Sequence, residues 1–151
     1  MSLSEKDKIA FERAYNDNGI FTYFGDVFEV LISEKAHIIK WENVVGMVGF
    51  KKDLYTIDTI GLDIFCDSNF QFTIYEETPR WFQFLHKSKI AIEEIPEHWE
   101  IDIAVPAFES KPTLVYDRQG RNLTEFIKDE YSALSPTIVE RSISRIRNWF
   151  S

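Results

Sequence analysis

The sequence predicts an α+β protein: a bent antiparallel β-sheet covered by a helix. Three observations predict it. Between residues 20 and 75 apolar and polar residues alternate with a period of two, in several short runs. The runs are separated by brief turn segments such as SEK and DSN, and short turns join antiparallel neighbours because a parallel crossover needs far more chain. At ETPRWFQFLHKSKIAI the period then becomes helical.

In chain order, SEKDKIAFERAY (4–15) reads as a short amphipathic helix with Ser4 and Asp7 near its start, stopped by NDNG. FTYFGDVFEVLIS sets Phe28, Val30 and Ile32 on one face, and AHIIKW does the same for His37, Ile39 and Trp41. NVVGMVGFKKD is a long strand in which Gly46 and Gly49 predict a bend or bulge. TIDTIGLDIFC turns Ile60, Leu62, Ile64 and Cys66 to one side, and FQFTIYEE does so for Phe70, Phe72 and Ile74. The following helix is expected to start with Thr78 as cap and Pro79 in its first turn, with Trp81, Phe82, Leu85, Ile90 and Ile92 as its apolar stripe. Such a helix covers the open mouth of a strongly bent sheet. EIPEHWEIDIAVPAFESKP reads as mostly extended, TLVYDR (113–118) as a further strand, and residues 122–134 and 135–150 as two helices interrupted around Pro136. The whole chain, 1–151, is expected to be one domain, with a core over about 20–118 and a helical arm over about 122–151.

Composition excludes several functions. Residues 1–110 hold 20 acids against 10 bases, so this body repels phosphate backbones and anionic headgroups, and neither nucleic acid nor membrane is the expected partner. Residues 111–151 reverse the balance with 7 bases to 5 acids, suited to docking on the acidic body or on an acidic partner. No apolar run reaches the ~18 residues of a membrane span and the N-terminus is too charged for a signal peptide, so a cytoplasmic protein is expected. A single cysteine, Cys66, allows no internal disulfide and no multi-cysteine zinc site.

The stretch KKDLYTIDTIGLDIFCD carries Asp53, Asp58, Asp63 and Asp67. Strand parity separates them: Asp58 shares the face of Ile60, Leu62 and Ile64, whereas Asp63 shares that of Thr59, Gly61 and Phe65. Asp53 ends the preceding strand, and Asp67 opens a turn. They do not converge, the alternating acids of a calcium loop are missing, and no metal site is expected. Asp58 is the candidate for a buried or half-buried acceptor, partnered by Lys51 or Lys52. His37, His86 and His98 lie in no metal-ligand spacing. No phosphate-cradling glycine loop or nucleophile elbow occurs, so no catalytic residue and no cofactor are expected.

From FEVLIS through HIIKWENVVGMVGFKKDLYTIDTIGLDIF to FTIYEETPRWFQFL, the sequence resembles the pleckstrin-homology-like fold in its GRAM-like and bacterial versions: a hairpin, a W-x-x-(I/V) segment, further strands and a capping helix. It is also similar to small bacterial proteins of unknown function that share K-x-D-L, D-x-I-x-L-x-I and a downstream IPEHW…PAFE…TLVYDR. The resemblance implies a partial barrel capped by a helix, here extended by helices at both ends. Matching positions are Trp41, Lys51 or Lys52, Asp53, Asp58, Glu76, Trp81, Trp99, Phe108 and Tyr116, none of them catalytic. Lipid-binding members place lysines and arginines in the first strand turns; here Glu34 and Asp26 oppose one lysine, which argues against phosphoinositides.

The expected function is therefore a non-enzymatic interaction module that binds a basic protein, of which an immunity or antidote protein is one analogue. Trp41, Asp53, Asp58, Glu76, Trp81, Trp99 and Phe108 are its candidate binding residues. One alternative is self-association through residues 135–150. Another is a small-ligand binder or hydrolase using Asp58, Glu76 and Glu77 with His37.

Overall fold

The computed structural model describes residues 19–53, 58–104 and 112–132. The alternating runs form strands β1 (Phe21–Phe24), β2 (Val27–Ile32), β3 (Lys35–Lys40), β4 (Val44–Asp53), β5 (Asp58–Cys66) and β6 (Phe70–Tyr75). The helices are α1 (Trp81–Ala91), α2 (Trp99–Ala104) and α3 (Leu123–Phe126), and strand β7 (Thr113–Asp117) comes before α3. Single 3-10 turns at Trp41–Asn43 and Asp67–Asn69 join β3 to β4 and β5 to β6. The architecture is α+β with two antiparallel sheets, a three-stranded β1-β2-β3 and a four-stranded β6-β5-β4-β7, and the described strands do not close into a barrel.

The two sheets face each other across an aromatic core that α1 completes. Phe84 of α1 stacks on Phe21 at 4.5 Å between ring centroids and meets Phe28, Trp41 and Phe72 at 5.7, 5.7 and 6.5 Å. One ring thus touches residues of both sheets. The buried stripe of α1 is Trp81, Phe84, Leu85 and Ser88, at i, i+3, i+4 and i+7. Phe82 and Ile90, expected in that stripe, face solvent at 74% and 69% exposure. The helix also starts differently: Thr78 Oγ1 accepts from Tyr75 N at 3.0 Å and Thr78 N donates to Tyr75 O at 2.8 Å, closing the turn after β6. The cap position passes to Arg80, in the left-handed region at φ 68°.

Segment 99–104, expected to be extended, is helical. Trp99 and Ile103, spaced one turn apart, are both buried, whereas a strand would put Ile101 on their face as well. Ile101, at 57% exposure, instead points outward. Gly49 makes room for this helix: a Cβ there would lie 2.6 Å from Ile103 Cδ1 and 2.8 Å from Trp99 Cζ3.

A second core lies on the other face of the four-stranded sheet. Asn122 caps α3, its Oδ1 accepting from Glu125 N at 2.8 Å, and the helix continues as a π turn over Ile127–Tyr131. Phe126 and Tyr131 pack edge-on against Phe65 at 5.1 and 4.9 Å, beside Val45 and Val48. The register shift at Val44/Gly46 against β5 is the expected bulge, and Gly46 leaves space for the Phe126 ring. Asp63 keeps its parity but is fully buried, because this helix covers the face it points to. The expected helix over 4–15, the arm over 135–150 and Phe108 lie outside the described residues.

Candidate functional site

Four segments distant in sequence line a groove of about 620 Å³. The β1–β2 turn supplies Tyr23, Gly25 and Asp26; the 3-10 turn supplies Trp41 and Glu42; and the end of α1 with the chain after it supplies Lys87, Ile90, Ala91, Ile92 and Glu94. Tyr116 of β7 completes the lining.

Local bonds hold these walls. Gly25, at φ 54°, allows the β1–β2 turn, and the carbonyl of Asp26 accepts from Trp41 N at 3.1 Å. Trp41 packs on Phe28 at 4.4 Å and is buried, so it forms floor rather than rim. Arg118 fixes the far wall by donating to the Glu42 carbonyl at 3.0 Å and making a two-point pair with Asp67 at 2.8 and 3.2 Å.

The groove is acidic and aromatic. Asp26, Glu42 and Glu94 are exposed carboxylates, against the one ammonium of Lys87. The Lys87 Nζ lies 5.4 Å from the Tyr23 ring centroid. Burial raises the Tyr23 phenol above its ordinary value, and the Tyr23 Oη has no hydrogen-bond partner among the described residues. Burial, then the Glu94 carboxylate, raises the Tyr116 phenol. Both rings therefore stay neutral and present their faces and edges. Ile90 stands exposed in the lining.

Of the candidate binding residues named from the sequence, Trp41 lines this groove, joined by the resemblance position Tyr116. Trp81 and Trp99 are buried against each other, edge to face at 6.2 Å. Asp58 lies 3.8 Å from Lys51 Nζ, which also donates to Ala104 O at 3.4 Å, so the partner of Asp58 is Lys51. Lys52 instead reaches over the Tyr75 ring at 5.6 Å. Asp53 is the register partner of Asp58 at the turn end of the β4–β5 hairpin, and its side chain lies outside the described residues. Glu76 Oε1 accepts from Ile60 N at 3.1 Å and Glu76 N donates to Ile60 O at 2.9 Å, extending the β5–β6 ladder. Glu77 is exposed. His37 stacks on Phe70 at 4.3 Å, at the opposite end of β6 from Glu76, roughly 20 Å away along the strand. His37 and Glu76 are therefore not brought together.

Among the described residues no group of three or more His, Cys, Asp and Glu side chains could hold a metal ion. Burial, with help from the Asp67 charge, pushes the Cys66 thiol up to about 12, which leaves it a small apolar filler at neutral pH. None of the described helices is long and apolar enough to cross a membrane.

Tyr23, Lys87 and Glu94 escaped the sequence reading because the groove exists only once β1, α1 and β7 are assembled. Ile90, expected in the buried stripe of α1, falls two residues after Ser88, about 200° around the helix from it, and so reaches the groove. Comparison with known protein families, with curated proteins and with solved structures finds no match to this chain.

Proposed function

We propose that the chain is a non-enzymatic protein-interaction module, and that the groove between the β1–β2 turn and the end of α1 binds a basic protein partner. The observation that carries this reading is the lining itself: three carboxylates to one ammonium, around Tyr23, Trp41 and Tyr116, with Ile90 exposed. Interfaces draw most of their binding energy from a few aromatic and aliphatic anchors, and use charge to steer and select partners. The excess of acids over bases in residues 1–110 steers a cationic protein from a distance.

In the finer fold reading, the hairpin, the Trp41 segment, the further strands and α1 make a pleckstrin-homology-like arrangement, a frame that serves binding rather than catalysis. An immunity or antidote protein that neutralises a basic toxin is a form of this function suited to a small acidic chain. The test is to recover the tagged full chain from its own host, identify a stoichiometric partner, and repeat the binding with D26K/E94K. A partner with a basic surface is expected, weakened at least about tenfold by the double reversal. Unchanged affinity in D26K/E94K would move the interface away from the groove.

A further inference from the structure

The groove already holds a cation of its own. Lys87 Nζ, 5.4 Å from the Tyr23 ring centroid, lies within the ~6 Å reach of cation–π attraction. Lys87 is exposed on α1 and forms no ion pair among the described residues. Asp26 and Glu94, in the same lining, are likewise without an ion-pair partner among the described residues. Elsewhere the carboxylates of Asp67 and Asp117 are each engaged by an arginine. Among the described residues the groove thus concentrates uncompensated negative charge beside an aromatic face whose one cation is a loosely held lysine.

We propose that Lys87 is an internal stand-in for an arginine side chain of the partner, which displaces it from the Tyr23 ring; this rests on the groove reading above. The chemistry favours arginine. A planar guanidinium stacks on a ring face while its spread N–H donors pair with carboxylates, whereas an ammonium is a compact, strongly hydrated point charge. Lys87 leaves readily, because it sits on an exposed helix surface with a flexible stem and returns its charge to water. Two cations do not share the ring, so the incoming arginine and Lys87 compete.

The competition predicts a gain of affinity on removing Lys87. The probe is a fluorescein-labelled peptide, Gly-Arg-Gly-Arg-Gly-Arg-Gly, with citrulline in place of arginine as its uncharged control, titrated by anisotropy against the full chain. K87M keeps the stem and removes the charge; it is expected to bind the arginine peptide about 5-fold tighter than the wild type, with the citrulline peptide bound by neither. Y23L, placed in the K87M background, is expected to lose that gain and Y23F to retain it, which separates loss of the ring from loss of folding. If K87M binds no tighter while D26K/E94K still abolishes binding, the displacement is wrong and the groove reading stands. If neither wild type nor K87M binds the arginine peptide, the arginine assignment is overturned. The groove reading is then judged by the native partner alone.

Discussion

The Tyr131 hydroxyl donates a 2.5 Å hydrogen bond to Asp63 Oδ2, tying the π turn that follows α3 to the middle of β5. The other carboxylate oxygen accepts from Thr73 Oγ1 at 2.5 Å and from Gln71 Nε2 at 3.4 Å. Asp63 is 0% exposed. A carboxylate in that position is tolerable only with its acceptors filled, since burying a charged group without partners is costly. Tyr131 therefore joins the second core to the sheet by chemistry as well as by packing.

Removing that hydroxyl tests the tie. Y131F retains the ring against Phe65 and is expected to lower unfolding stability by about 2 kcal/mol, the worth of a hydrogen bond to a charged group. Urea unfolding measures it, with an unchanged slope showing that the unfolded state is not altered. A loss under about 0.5 kcal/mol would mean that the remaining donors suffice for Asp63.

Gly49 sets how closely α2 approaches β4. G49A drives a methyl into Ile103 and Trp99, and overpacking of this kind is expected to cost about 2 kcal/mol. I103V removes the nearest atom, Cδ1. A double-mutant cycle should then find G49A less damaging in the I103V background. Additive losses would refute the steric account.

The β2–β3 turn is the place where stability can be gained. Its two central residues, Ser33 and Glu34, have φ of 51° and 66°, a primed turn built without asparagine or glycine. S33N/E34G matches the backbone to residues that adopt it freely. It is expected to raise stability by about 1 kcal/mol, seen as a higher urea midpoint.

Acid should weaken the fold through two arginine-bound aspartates. The Arg118 hydrogen bond holds the Asp67 carboxyl below its ordinary value. For Asp117 burial opposes ionisation, but the side-chain bond from Arg121 and the backbone bonds from Arg121 and Gln119 outweigh it, and its value is lowered too. A lowered folded value means stability that is present above about pH 3.9 and lost as pH falls through the folded values. Urea midpoints between about pH 6 and pH 2 should fall for the wild type, and less steeply for D117N, which starts lower. Parallel curves would assign the acid sensitivity to other carboxylates.

The strands were legible because each carries its period within its own residues: Phe28 and Val30 are buried on β2, Leu62 and Ile64 on β5. Asp58 and its lysine were legible for the same reason, since β4 and β5 form one hairpin ladder. What the sequence hid depends on pairings across long intervals. Gly61 and Asp63 look like a solvent face; Gly61 is interior because the Phe50 ring of the neighbouring strand lies over it, and Asp63 because Tyr131 returns to it. Helix α2 is too short for its period to outweigh the strand-like alternation of Trp99, Ile101 and Ile103. The groove had least to offer a linear reading, because Tyr23, Lys87 and Tyr116 each have an unremarkable local context.

The strand order β6-β5-β4-β7 carries a consequence for how the chain is made. The β4–β5–β6 meander can form as soon as residue 75 has emerged, yet the other border of β4, Gly46 to Gly49, waits for Thr113–Asp117. On the ribosome that border stands open through the synthesis of α1 and α2, with unpaired backbone donors and acceptors beside apolar side chains. Neighbouring nascent chains on one messenger offer each other the same open border. The late arrival of β7 thus makes the interval between residues 75 and 117 the window in which this protein is most prone to join the wrong copy of itself.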